Sequence, residues 1–115
     1  MPAATVNFDG LSFNPVVTGG QAGAGHPPDP NSDTGRKFVI EAVNDAYAIY
    51  DKTGALKAAF TENSLWAGSG ATPCNGDAFG DPIALYDALA DRWILTNFAF
   101  ATDVMGNPVP PYYQC

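Results

Sequence analysis

The sequence predicts an all-β fold of antiparallel strands, arranged as two blade-like sheets behind an extended N-terminal arm. Three observations carry that prediction. Twelve Gly, ten Pro and only 15% charged residues in 115 positions suit short strands and tight turns better than helices with Lys- and Glu-rich faces. An Asp-Lys-Thr-Gly turn at 51–54 separates two apolar runs. Finally, a Tyr-Asp pattern recurs 36 positions apart, at Asp51 and Asp87.

The arm comprises residues 1–37. "VNFDGLSFNP" has room for one short strand, but "VVTGGQAGAGHPPDPNSDTG" shows no sustained periodicity. Pro27, Pro28 and Pro30 each lack a ladder donor. Such a segment is expected to lie over a neighbour and to be ordered by what it touches. From Lys37 the pattern sharpens into a β domain over 38–115. "KFVIEAVN", "AYAIYD" and "ALKAAFT" predict strands at 38–43, 46–50 and 55–60. Alternation places Tyr47 and Ile49 on one face of the second strand, and Ala48 and Tyr50 on the other.

The stretch "PIALYDALADRWILTNF" also permits a helix, since Leu85, Leu89, Arg92 and Trp93 have helical spacing. The repeat decides against it. Ala48-Ile49-Tyr50-Asp51 aligns with Ala84-Leu85-Tyr86-Asp87, and the first copy holds a turn that a helix accommodates poorly. The second copy is therefore expected to be a hairpin with "DALADR" as its turn, followed by "PYYQC" as a last strand. A 36-residue antiparallel repeat is near the size of a β-propeller blade, which gives blades at about 38–60 and 83–115. The link between them, 61–82, is long for a loop, unless it carries function or packs through Leu65, Trp66 and Phe79.

"AYAIYDKTGALKAAF", "NSLWAG", "GDPIALYDALADRWILTNFAF" and "YYQC" together resemble blade segments of large secreted bacterial proteins predicted to be β-propellers. In those, a similar series of Asp-Pro, Tyr-Asp and Arg-Trp recurs within blades. The resemblance covers about residues 36–115 and implies a structural repeat rather than a reaction. The WD dipeptide of WD40 repeats is missing, as is the kelch double glycine in its proper place. Propellers close with about four to eight blades, and about two are counted here. An incomplete propeller of this kind is either a piece of a longer polypeptide or a module that completes its sheets by association.

Twelve acidic against five basic side chains give a formal charge of −7. That balance disfavours nucleic acid and anionic membranes as partners. No stretch approaches the roughly 20 apolar residues of a membrane span. "MPAATVNFDG" lacks the basic and apolar regions of a secretory leader, yet low Lys, abundant Gly, Asn, Thr and Tyr, and two cysteines fit an exported protein. Cys74 and Cys115 allow one intramolecular disulfide, with free thiols or a bridge between chains as alternatives. An oxidising compartment favours the disulfide. A CxxC pair is missing and one His is present, which disfavours zinc.

Residues that could carry chemistry are few. Asn75, Asp77 and Asp81 offer oxygen ligands in a glycine-containing loop, but calcium needs six to eight, and a plain Asx-turn loop explains them better. Asp51 and Asp87 could be read as paired catalytic carboxylates, yet their equivalent places at turn starts suggest one structural task per repeat. His26 sits among flexible residues with nothing to hold it as a general base. Ser64 and Ser69 show no partner for a nucleophilic triad. Among the aromatics, mostly expected in the core, Trp66 in "NSLWAGSG" stands out as a stacking platform for a glycan or a partner. The expected function is a non-enzymatic structural or binding module of a secreted protein, self-assembling through open sheet edges and the arm. The alternative is part of a carbohydrate-active propeller enzyme, or a sugar-binding module.

Overall fold

The computed structural model describes residues 3–11, 16–17, 20–21, 27–71, 73–76 and 80–115. His26, Asp77 and Phe79 lie outside the described residues. The fold is all-β, and among the described residues all strand pairing is antiparallel, with one helical turn.

Two short strands near the start, β1 (Val16–Val17) and β2 (Gly20–Gln21), pair with each other. The main sheet follows in strict sequence order: β3 (Asn31–Thr34), β4 (Phe38–Val43), β5 (Ala46–Asp51) and β6 (Leu56–Thr61). Three of its strands match the sequence reading to within a residue. The fourth does not: Asn31–Thr34 fall inside the segment expected to be an extended arm, yet pair along β4 from Asn31↔Ala42 to Thr34↔Val39. "NSDT" has no apolar residue with which to announce a strand. Its alternate side chains serve another purpose, described below.

After β6 comes α1 (Glu62–Leu65), capped by the Thr61 hydroxyl, which accepts from the Ser64 N–H. The predicted second hairpin is present as β7 (Ile83–Asp87) and β8 (Arg92–Thr96), with residues 88–91 as its turn. It is followed by β9 (Phe98–Thr102) and β10 (Pro108–Gln114), which pair with each other and contain the expected last strand. So the strands of 83–115 form two hairpins, not one four-stranded sheet. Asn97 joins them. Its main chain exchanges both hydrogen bonds with Cys115, while the next N–H, of Phe98, donates to Gly80 O. Successive N–H groups of a strand point to opposite edges, so β7 and β10 flank opposite sides of one continuous 92–102 segment.

Burial follows from this stacking. One face of the main sheet contributes Ile40, Ala42, Tyr47, Ile49 and Phe60, which pack on Ala84, Trp93 and Leu95 of the β7–β8 hairpin. Tyr47 is fully buried, and its hydroxyl donates to Thr96 O at 2.8 Å, bridging the two layers. The opposite face receives residues 3–11: Phe8 stacks on Tyr50 with centroids 5.0 Å apart, and the Leu11 N–H donates to Glu41 Oε2. Both faces of β5 are thus covered, and the predicted alternation of Tyr47 and Ile49 against Ala48 and Tyr50 holds. The Cys74–Cys115 disulfide is formed and ties the 61–82 link to the end of β10. Among the described residues, no helix is long and apolar enough to cross a membrane.

Candidate functional site

Where the β3–β4 turn meets the β7–β8 hairpin, the surface folds into a cleft of about 230 Å³, lined by Arg36, Lys37, Phe38, Tyr86, Asp91 and Trp93. Each wall has a cause in the sequence. Asn31 and Asp33, two residues apart on β3, present side-chain oxygens to the outer edge of β7. Asn31 Oδ1 accepts from the Ala84 N–H at 2.7 Å, and Asp33 Oδ2 from the Tyr86 N–H at 2.8 Å. These bonds replace a backbone ladder and fix β7, hence Tyr86, beside β3. They also explain why Asp33 titrates below the ordinary carboxylate range, with the Tyr86 N–H as the leading cause.

Tyr86 and Trp93 face each other across the hairpin as a direct cross-strand pair, with ring centroids 5.1 Å apart and planes tilted by 47°. Both are half-buried, and Trp93 also packs on the core. Gly35, in the β3–β4 turn, lets the indole approach: a Cβ there would lie 2.7 Å from Trp93 Cζ2. The Tyr86 hydroxyl donates to Asp91 Oδ1 at 2.5 Å, and that bond is the first reason its ionisation is pushed up. Asp91 reaches this position from a left-handed backbone conformation, φ 51°. Arg36 and Lys37 complete the rim, exposed and in no ion pair; among the described residues the ion pair formed is Lys57–Asp51. The cleft therefore offers aromatic faces, two cations and one carboxylate.

Residues singled out by sequence are distributed differently. Trp66 is half-buried, and its indole N–H donates to Oδ1 of the fully buried Asn97 at 3.1 Å. This ties the 61–82 link to the junction of β8 and β9, next to the disulfide. Asp51 and Asp87 do start turns: Asp51 Oδ1 accepts from the Thr53 and Ala55 N–H groups, and Asp87 Oδ1 from Leu89 and Ala90. Lys57 and Thr53 lower the Asp51 titration well below the usual range. A third turn of the same kind, Asp103 to Gly106, repeats the Asp-x-x-Gly spacing and was available in the sequence as "DVMG". Asn75 and Asp81 are exposed, and Asp81 donates its N–H to Asn44 Oδ1. Among the described residues no cluster of three His, Cys, Asp or Glu side chains is placed to hold a metal ion. Ser64 hydrogen-bonds back to the N-cap of α1, its hydroxyl donating to Thr61 O, and Ser69 accepts from the Ala71 N–H.

Like the cleft, a buried acidic residue is not announced by the sequence. Glu62 is 1% exposed; Oε2 accepts from the Gly80 N–H at 3.1 Å, and Oε1 has no hydrogen-bond partner among the described residues. Burial first, and then the neighbouring Asp45 and Asp81 charges, push its carboxyl up to about 7 against the lowering effect of the N–H donors. "TENSLW" reads as an exposed helix start, so nothing local marks this burial.

No family model, curated protein or solved structure matches this chain.

Proposed function

We propose that this chain is a non-catalytic binding module of an extracellular, propeller-like protein, and that its ligand is a saccharide unit held in the Tyr86–Trp93 cleft. The observation that carries this reading is the tilted aromatic pair lining a cleft together with Arg36, Lys37 and Asp91. Pyranose rings present C–H faces to aromatic side chains and hydroxyls to donors and acceptors at the rim. Concave, partly apolar sites with a few convergent polar groups are where small ligands bind. At about 230 Å³ the cleft is below the roughly 300–1,000 Å³ of drug-sized sites, a size that suits one ring of a glycan. One carboxylate, Asp91, lines it and is engaged by the Tyr86 hydroxyl; glycoside hydrolysis calls for two flanking the bond. That supports binding over turnover. The disulfide fits an oxidising compartment.

The test is titration with a panel of neutral and charged monosaccharide glycosides, followed by intrinsic fluorescence. Saturable quenching in the native chain that disappears in Trp93→Phe and persists in Trp66→Phe is the expected outcome. Quenching that follows Trp66 instead would move the site to the 61–82 link.

A second reading, association between copies, draws on the outward face of the β7–β8 hairpin. There the cross-strand pair Leu85 and Ile94 is 50% and 46% exposed, beside Ile83 and Phe98. Strands β6 and β10 also stand at sheet edges.

A further inference from the structure

Resting on the saccharide reading, we infer that the ring bound in this cleft carries an anionic group, a carboxylate or a sulfate, held by Arg36 with Lys37 beside it. The chain has only five basic residues against twelve acidic ones, and two of the five stand together on the rim. In an acidic protein, cations are readily neutralised by neighbouring carboxylates. These are not. Asp91, the carboxylate that shares the cleft, commits Oδ1 to the Tyr86 hydroxyl and forms no ion pair with either cation. Asp33, in the strand that leads into the same turn, is taken by the Thr34 and Tyr86 N–H groups. Arg36 lines the same cleft as Tyr86 and Trp93, so its exposed guanidinium stands at the mouth of the aromatic site, and its charge acts on the Tyr86 hydroxyl.

A guanidinium presents a planar fork that matches a carboxylate or sulfate in two parallel hydrogen bonds, and such bonds are stronger than neutral ones. The net charge of −7 limits the ligand's charge. A polyanion would meet repulsion from the surrounding carboxylates, whereas one anionic group within a Debye length of about 8 Å is governed by the two cations. A singly charged sugar ring satisfies both conditions.

The experiment titrates the full chain with methyl β-glucuronide, methyl β-glucoside and methyl β-glucoside 6-sulfate, following the Trp93 indole resonance by NMR. At least one anionic glycoside is expected to bind about tenfold tighter than the neutral one, and the preference should fall to within about twofold in Arg36→Ala. Arg36→Lys should restore part of it; position 36 is exposed, so both variants are expected to fold. Whichever anion is preferred identifies carboxylate or sulfate as the group. Equal binding of all three would overturn the anionic inference while leaving the saccharide reading intact. No binding of any would remove both.

Discussion

Glu62 shows how a single residue sets the pH response. Its carboxyl titrates at about 7 in the fold against an ordinary 4.5. Between those values the folded chain holds a proton that the unfolded chain has released, so stability falls as pH rises through the window, by roughly 3 kcal/mol in all. Asp33, Asp51 and Asp103 act in the opposite sense: lowered by hydrogen bonds, they contribute stability above the ordinary carboxylate range that is lost as pH drops through it. Urea denaturation across pH should therefore show greatest stability near pH 4 to 5 and a decline toward pH 7. Glu62→Gln keeps an acceptor for the Gly80 N–H and cannot ionise, so it should flatten that decline and exceed the native chain at pH 8 by about 1–3 kcal/mol. An unchanged profile would mean that Glu62 is charged and solvated at neutral pH. The turn aspartates offer a second check. Asp51→Ala removes the acceptor for two backbone N–H groups and should lower the thermal unfolding midpoint, with Asp51→Asn largely restoring it. Gly54, at φ 88° and against Phe8, should tolerate alanine less well than the open, similarly positive Gly106.

At the scale of elements, hairpins were legible and their clips were not. Strands β4, β5 and β6 could be read because apolar alternation is punctuated by an Asp-x-x-Gly turn. The β7–β8 hairpin could be read because the repeat transferred that logic to a stretch whose own periodicity also permits a helix. Strand β3 was missed because its information lies in polar side chains that serve as hydrogen-bond acceptors 53 residues away. The cleft was missed for the same reason: Arg36 and Lys37 come from the end of the supposed arm, while Tyr86, Asp91 and Trp93 come from the second repeat, where aromatics were expected to be core. Glu62 was missed because burial of an acidic residue depends on a loop eighteen residues further on. The clip makes a direct prediction. Asn31→Ala leaves the Ala84 N–H without its acceptor and should cost about 1–3 kcal/mol, with hydrogen exchange at Ala84 accelerating more than at β4 or β5. The disulfide, closing 41 residues, should contribute roughly 4 kcal/mol in the chain-entropy picture. Cys74→Ser with Cys115→Ser should lower the denaturation midpoint accordingly, and loosen Trp66 through Asn97.

For the whole molecule, the central relation is between two layers: a four-stranded sheet of sequential antiparallel strands, and a hairpin stacked on its face. Face-to-face stacking lets each layer bury its inner side chains against the other, and it places a turn of the first layer against the aromatic pair of the second. A cleft at a junction of layers is held by packing on both sides, so its geometry is set before a ligand arrives. The same stacking leaves the outer face of the second layer with Leu85 and Ile94 in solvent. If copies associate there, light scattering should show a mass above the monomer that Leu85→Glu reduces, without changing the cleft. The chain's two tryptophans allow the decisive measurement, since one stands in the cleft and the other in the 61–82 link. Their indole N–H resonances should be followed by NMR as methyl β-glucuronide and methyl β-glucoside 6-sulfate are titrated in turn. A saturable shift of Trp93 with Trp66 unmoved is the predicted result. A shift confined to Trp66, or none at either ring for both glycosides, would contradict the cleft as the binding site.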